Sequence, residues 1–559
     1  MNAAAEVSTL HGMLGEMAQR HRDRNAFEYR PVPQETGDVI TFGELDDEAR
    51  AIAAHLVQLA MPCGRPVALV YPPGLEFIAA FFGCLYAGLI PAPSMLALTA
   101  GGVARVAAVV NGAGAVGVMT NSAYLPRLQR ALADRGAAQS LAWIATDDVG
   151  AEVPFRGVAP TDPRAIAFLQ YSSGSTGEPK GVAISHTNAL HNLGLLRTAF
   201  DTHFADRCVS WLPHYHDMGL IAGILHSISA GISARLISPA AFLRDPLCWL
   251  EAISADGATM SGGPNFAYER CIATFDADRL RHLDLSQWKV AICGAEPIRA
   301  ETVDRFIATF APFGFDPGAF YPTYGLAEAT LMVSGARRGG GARTFVFRET
   351  TGGIETVRRI VGCGPPVQDV RVVDPETLAP LAEGQAGEIL VAGGSLFPGY
   401  WDRTGQAPAP ATVRTPDGHA FFRTGDLGVV LDGELCIAGR TKDLIVLRGR
   451  KLHPNDIEAL LEKDRPEWRF CAFAIFEDGE EGVAVVVDTG QGEAHPDDLR
   501  QWRNEIGDRM LSVFDVTPQS VAFVATGQLP RTTSGKLQRQ LCRTLHLQGH
   551  LRALQEAPT

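Results

Sequence analysis

The segment YSSGSTGEPKG (171–181) places Ser172, Ser173, Gly174, Ser175, Thr176 and Gly177 side by side, with Lys180 just beyond them. Hydroxyls and glycine-freed backbone N–H groups at this density let a chain close around an oxyanion, and Lys180 adds a full positive charge. The chemistry this implies is phosphate binding. It is not a Walker loop, because GxxxxGK[ST] occurs nowhere in the chain. A flexible Ser/Gly connector is the plain alternative. Yet the stretch follows an apolar strand pattern, AIAFLQ (165–170), and precedes a helix pattern that Ser185 or Thr187 could cap, which is not where a linker sits.

Other chemistry-bearing clusters lie further along. ICGAEPI (292–298) closes a strand pattern with Gly294, Ala295 and Glu296, and YPTYGLAEAT (321–330) offers Tyr324, Gly325 and Glu328. FRTGDLG (422–428) puts Asp426 on an expected tight turn, and LPRTTSGKL (529–537) puts Lys536 on a hydroxyl-rich one. Each alone reads as a turn or a solvated charge. Together they offer an aromatic face for a base and carboxylates for ribose hydroxyls and a magnesium ion. A rival motif fails on order. GAGAVG (112–117), with Asp134 downstream, matches GxGxxG, but a helix pattern precedes it and a strand pattern follows, the reverse of a dinucleotide fingerprint.

The elements that must position these groups read as strand–helix alternation. A helix is expected at 44–60, a buried strand at 65–71 and an apolar helix at 75–88, with short apolar strands after them. This is an α/β chain of helix-covered sheets. From about 361 the texture turns β-rich, and after GRTKD (439–443) a small α+β domain is expected, giving units at 1–441 and 442–559. GARRGGGARTF (335–345) reads as a mobile loop and 406–411 as an exposed connection. The chain has 559 residues and a formal charge of −13, which disfavours wrapping nucleic acid. The apolar run at 77–90 is shorter than the roughly 20 residues of a bilayer span, and no signal peptide or transmembrane segment is visible. The ten cysteines lie singly, which favours a reducing cytoplasm over a disulfide framework.

The order and spacing of YSSGSTGEPKG, YGLAEAT, RTGDLG, GRTKDLI and LPRTTSGK resemble the adenylate-forming, AMP-binding superfamily over most of the chain. WLPHYHDMGL (211–220) and YGLAEAT resemble its fatty acyl-AMP ligase branch, since coenzyme A ligases usually carry threonine where this chain has Ala327. The resemblance implies that ATP and a medium- or long-chain fatty acid give acyl-adenylate and pyrophosphate. The acyl group then passes to the phosphopantetheine thiol of a separate acyl carrier protein. It implies that Ser172–Lys180 hold the departing phosphates, that Tyr324, Gly325 and the Gly294–Glu296 turn flank adenine, and that Asp426 and Arg440 bind ribose. Glu328 is implied to hold Mg²⁺, Lys442 to sit at a hinge, and Lys536 to bridge carboxylate and α-phosphate. His214, His216, Met218 and Gly219 are expected at the entrance of an acyl tunnel, against the alternative that the histidines cap buried backbone groups. Asp217 keeps an amino-acid substrate open. The branch carries an insertion after YGLAEAT that disfavours coenzyme A. Here the segment at 331–360 is short, which leaves an acyl-CoA ligase as the nearest rival; a non-catalytic AMP- or acyl-binding regulator is a further reading, disfavoured by Lys180, Glu328 and Lys536 occurring together.

Overall fold

The computed structural model describes residues 7–31, 36–135, 141–149, 155, 157, 161–172, 179–351, 354–402, 405–447, 450–477, 480–491, 493–531 and 537–556. Among them the largest sheet has eight strands. Its centre is parallel, running Val290–Cys293, Met260–Gly263, Arg207–Ser210, Ser233–Ile237 and Asn25–Arg30. On one side Phe320–Gly325 continues the parallel order and an antiparallel Met332–Gly335 ends it. A second, four-stranded sheet is parallel throughout, ordered Ile90–Met95, Pro66–Tyr71, Gly117–Thr120, Ala142–Ala145.

Helices cover these sheets because their apolar residues recur on one face. Phe42–Gln58 starts at a capping box, in which Thr41 and Glu44 satisfy each other's backbone N–H, and it buries Leu45, Ala49, Ile52 and Leu56. It lies tightly on the apolar helix Glu76–Tyr86. A Cβ added at Gly83 would meet Ile52 Cγ2 at 2.6 Å, so a side chain there would push the two helices apart. The expected helices at 44–60 and 75–88 are thus present with slightly shifted ends. GAGAVG falls between helix Ala100–Ala113 and strand Gly117–Thr120, the order that rules out the dinucleotide fingerprint.

The β-rich segment forms an antiparallel sheet of Asp369–Val373, Gly387–Ala392, Ala420–Leu431, Thr412–Arg414 and Glu434–Arg440. Beyond it, Arg469–Glu477, Glu480–Asp488 and Ser520–Val524 form a sheet flanked by Pro454–Asp464, Pro496–Phe514 and Arg539–Leu547. The buried apolar clusters of this last part, including Ile457, Trp468, Val485, Met510 and Phe523, draw only on residues 445–554.

Two expectations are revised. The 335–345 stretch is anchored by ion pairs: Arg338 donates to both Asp206 oxygens at 2.9 Å, and Arg343 reaches Asp432 at 2.8 Å and Glu434 at 3.1 Å. Asp426 is not on a tight turn. It lies within the long strand Ala420–Leu431, where Gly425 takes a positive φ of 71° and a bulge shifts the register.

Candidate active site

The phosphate-loop sequence is flanked by an antiparallel pair, Ile166–Ser172 with Lys180–Ser185, whose register sets Ser172 opposite Lys180. Ser173, Gly174, Ser175, Thr176 and Gly177 lie outside the described residues, as does Lys536. Ser185 caps the next helix, His186–Ala199, through a capping box with Asn188; a strand intervenes before that helix, which the sequence had not separated from the loop. On its other edge Lys180–Ser185 pairs with Gly399–Tyr400.

That edge pairing places a residue the sequence had not singled out. The Tyr400 hydroxyl donates to Glu328 Oε1 at 2.7 Å, and Lys180 Nζ lies 5.3 Å from the centroid of the Tyr400 ring. Glu328 sits in a 3₁₀ turn, Ala327–Ala329. The turn folds back so closely that a Cβ on Gly325 would meet the Leu331 carbonyl oxygen at 1.8 Å, and Leu326 N–H donates to that oxygen at 3.0 Å.

Asp426 organises a second group of side chains. It is 6% exposed, accepts from Tyr324 Oη at 2.7 Å on one oxygen and from Arg440 Nε at 2.9 Å on the other. Burial, and then the Asp426 charge, hold the Tyr324 phenol well above its ordinary pKa, so it remains a hydrogen-bond donor. The Gly294–Glu296 turn follows strand Val290–Cys293. Ala295 takes φ 66°, which is uncommon for a residue with a Cβ, and Glu296 accepts from Phe266 N–H at 2.6 Å. Gly294 faces Thr323 rather than open space, since a Cβ there would meet Thr323 at 2.8 Å.

Lys180, Glu328, Tyr324, Asp426, Arg440 and Lys442 all line one cleft of about 1480 Å³. Its far wall comes from residues 453–470, Arg531 and residues 537–544, so it lies between the sheets and the C-terminal part. Leu537 and Gln538, which follow Lys536, are on that wall. Lys442 stands in the 3₁₀ turn Thr441–Asp443 directly after Arg440. Burial, and then the neighbouring Arg440 charge, pull its ammonium below the ordinary lysine range, with Lys180 contributing in the same sense. Asp443 and Asp426 act in the opposite sense, and the cleft is lined by both cationic and acidic side chains.

The same cleft opens into an apolar region walled by Leu196, Phe200, Met218, Ala222, Leu331 and Met332. Met218 and Ala222 belong to a π-helical segment, Met218–Leu225, within the apolar run after WLPHYHD. His216 lines the cleft with Met218, but His214 and Gly219 do not; they border a separate cavity of about 20 Å³. His214 is buried and stacks on Phe77 with centroids 4.1 Å apart, and a Cβ on Gly219 would meet the Pro213 carbonyl oxygen at 2.1 Å. Those two positions shape packing rather than the cleft. His216 Nδ1 lies 2.7 Å from Asp217 Oδ1, which also accepts from Met218 N–H at 2.7 Å.

The short segment at 331–360 contains a hairpin, Thr344–Thr351 with Ile354–Val361, that reaches the C-terminal part. Arg358 donates to Asp456 at 3.0 Å and lies 3.4 Å from Glu349, and His453 is 3.4 Å from the same glutamate. Arg299 pairs with Glu462. Arg539 binds Glu458 and Asn455 at 2.9 Å and Asp443 at 3.1 Å, tying the 537–541 segment to the turn that carries Lys442.

The family model described as AMP-binding enzyme matches residues 14–401, and the chain belongs to that family of ATP-dependent, adenylate-forming proteins. It is 37% identical to a medium-chain-fatty-acid–[acyl-carrier-protein] ligase of Moorena producens, across 98% of this chain and 96% of that one. It is 33% identical to a long-chain-fatty-acid–AMP ligase of Mycobacterium tuberculosis, across 95% and 96%. Among solved structures it resembles a fatty acyl-adenylate ligase from a study of the Escherichia coli and Legionella pneumophila proteins, with TM-score 0.86, 30% identity and coverage of 98% and 99%. The L. pneumophila enzyme in complex with acyl adenylate and pyrophosphate gives TM-score 0.74 and 33% identity over 97% and 96%.

Proposed function

We propose that the protein activates a medium- or long-chain fatty acid with ATP, releasing pyrophosphate, and passes the acyl group to the phosphopantetheine thiol of a separate acyl carrier protein. The observation that carries this reading is the continuity of an apolar region with a cleft bearing Lys180, Arg440, Lys442, Glu328 and Asp426. A fatty tail suits the first and a nucleoside triphosphate the second. Both relatives above are named for fatty-acid substrates, and one of them for a carrier-protein acceptor.

The carboxylate and the α-phosphate are both anions, so the first step needs cations between them. A cation about 4 Å from each offsets roughly 4 kcal/mol per pair at an effective dielectric near 20. Lys536 is assigned this bridge, and Ser172–Lys180 the departing phosphates. Asp426, with its oxygens directed by Tyr324 and Arg440, accepts from ribose hydroxyls, while the Gly294–Glu296 turn, Tyr324 and Gly325 flank adenine. Among the described residues no three His, Cys, Asp or Glu side chains cluster as a metal cage. A magnesium ion usually takes one or two carboxylates together with substrate phosphates, and Glu328, whose Oε1 alone is engaged by Tyr400, fits that mode. When bound, the ion would neutralise charge on the phosphates. His216 and Met218 are assigned to the acyl entrance. Asp217 already serves His216 and the Met218 N–H, which leaves it poorly placed to hold a substrate ammonium.

Two units, 1–441 and 442–559, hinged at Lys442, account for one cleft serving two steps. Lys536 must be near the phosphate first and give way to the thiol afterwards. The unpaired state of all ten cysteines agrees with a cytoplasmic location, and among the described residues no helix is long and apolar enough to cross a membrane. The test is pyrophosphate release across fatty acids of graded length, followed by addition of coenzyme A or holo carrier protein to the preformed adenylate. Release without any acid preference for alkyl chains, or transfer to coenzyme A in place of the carrier, rejects the assignment. Lys536→Ala is expected to abolish adenylate formation while ATP still binds; adenylate at the parental rate would remove Lys536 from its role.

A further inference from the structure

Tyr400 stands between the carboxylate and the ammonium of the cleft. Resting on the reading above, we propose that it is the positioning residue that keeps Glu328 and Lys180 from pairing with each other and aims both at one magnesium–phosphate group. Its hydroxyl holds Glu328 Oε1 at 2.7 Å, and its ring lies 5.3 Å from Lys180 Nζ. One side chain therefore engages both groups, through different parts of itself. No ion pair joins Lys180 to Glu328 among the described residues, although both line the same cleft. A direct pair would neutralise the two charges that a magnesium–triphosphate complex needs unspent.

The tyrosine is itself held from several sides. Its strand pairs with Lys180–Ser185, setting Tyr400 opposite Val182. The next residue, Trp401, donates its N–H to the Gly181 carbonyl at 2.7 Å and its indole N–H to the Ala113 carbonyl at 3.0 Å. Upstream, Phe397 N–H donates to the Glu328 carbonyl at 2.8 Å, and the Phe397 ring lies 4.9 Å from that of Tyr400. The segment is thus fastened both to the strand that starts at Lys180 and to the turn that carries Glu328. A side chain retained only for packing has no need of a charge-assisted hydrogen bond at its tip.

Two substitutions separate the hydroxyl from the ring. Tyr400→Phe keeps the ring and its contact with Phe397. Calorimetric titration of ATP at stepped MgCl₂ concentrations is expected to show the magnesium midpoint for ATP binding raised about tenfold, the usual scale for a lost hydrogen bond to a charged group. The fatty-acid KM should not change. Tyr400→Leu is expected to weaken ATP binding at saturating magnesium as well, because Lys180 loses its seat. In a Glu328→Gln background Tyr400→Phe should add nothing to the magnesium midpoint, whereas a purely structural role would leave its effect additive. A parental midpoint in Tyr400→Phe, or full additivity in the double variant, overturns the proposal. These titrations need no fatty acid. Loss of acyl activation in the parent protein would therefore defeat the functional reading while leaving this inference to its own result.

Discussion

Asp426 shows how much one carboxylate can organise. It is nearly excluded from solvent, and its two oxygens serve Tyr324 and Arg440, so its orientation is set before any ligand arrives. Asp426→Asn keeps the shape but replaces an oxygen acceptor with an N–H₂ donor facing one of two donors. The expected cost is about 2 kcal/mol, near 30-fold in the Kd for ATP, read by calorimetry. An unchanged Kd would place the ribose elsewhere. At this scale the sequence was informative where a residue type is rare in its setting. A carboxylate after Arg-Thr-Gly and a lysine after Glu-Pro stand out, and both line the cleft. It was uninformative where a common residue acts through a distant partner. Tyr400 lies 72 residues from Glu328, and nothing in its neighbours announces the bond. His214 borders a different cavity from His216, because local turn geometry, not spacing, decides which of two nearby histidines lines the cleft.

Among the elements, helix Leu10–Arg20 is held to the body of the protein by an uncharged histidine. Leu10 N–H donates to His186 Nδ1 at 3.1 Å, and the His11 and His186 rings meet edge-on with centroids 5.5 Å apart. Burial lowers the His186 pKa to about 3 and that of His11 to about 4, with Arg50 adding to the latter. Unfolded, both return to about 6.5, so below that pH the unfolded chain binds more protons than the folded one. Stability is therefore whole above pH 6.5 and declines as pH falls towards 4 and then 3. The Tm should drop through this window, and His186→Asn, which retains an acceptor but cannot titrate, should make the decline shallower. A variant with the parental pH profile would show that the histidine does not contribute. Helices and buried strands were legible because their apolar periodicity is strong. The 3₁₀ turn at Glu328 and the bulge at Asp426 were not, because backbone departures of one or two residues leave no period to detect.

At the scale of the whole molecule, the pairs Arg358–Asp456 and Arg299–Glu462 join the two parts that face each other across the cleft. They exist in an arrangement that brings the residues next to Lys536 to the cleft wall. If the second step needs a different arrangement, these pairs favour the first step at the expense of the second. Asp456→Asn with Glu462→Gln is expected to slow pyrophosphate release relative to transfer from preformed adenylate by about fivefold, equivalent to roughly 1 kcal/mol. Equal changes in both steps would show that the pairs carry no such bias. The alternation of strands and helices and the β-rich change near 361 were readable from composition and turn residues. The contacts between the parts were not, because an Arg or Asp on an exposed helix face has the same local sequence whether it meets water or a partner.

The edge-strand pairing that fastens Tyr400 to the strand starting at Lys180 has a consequence for biogenesis. Lys180, Glu328, Tyr400, Asp426 and Arg440 line one cleft but lie between positions 180 and 440 of the sequence, and Asp426 and its arginine come last among them. A nascent chain still short of Arg440 on the ribosome has no complete nucleotide pocket, however well its parallel sheets have formed. ATP can stabilise only a state that binds it. Cellular nucleotide therefore lends nothing to the early part of synthesis, and the N-terminal sheets must stand on their own packing until the residues around Arg440 have been translated.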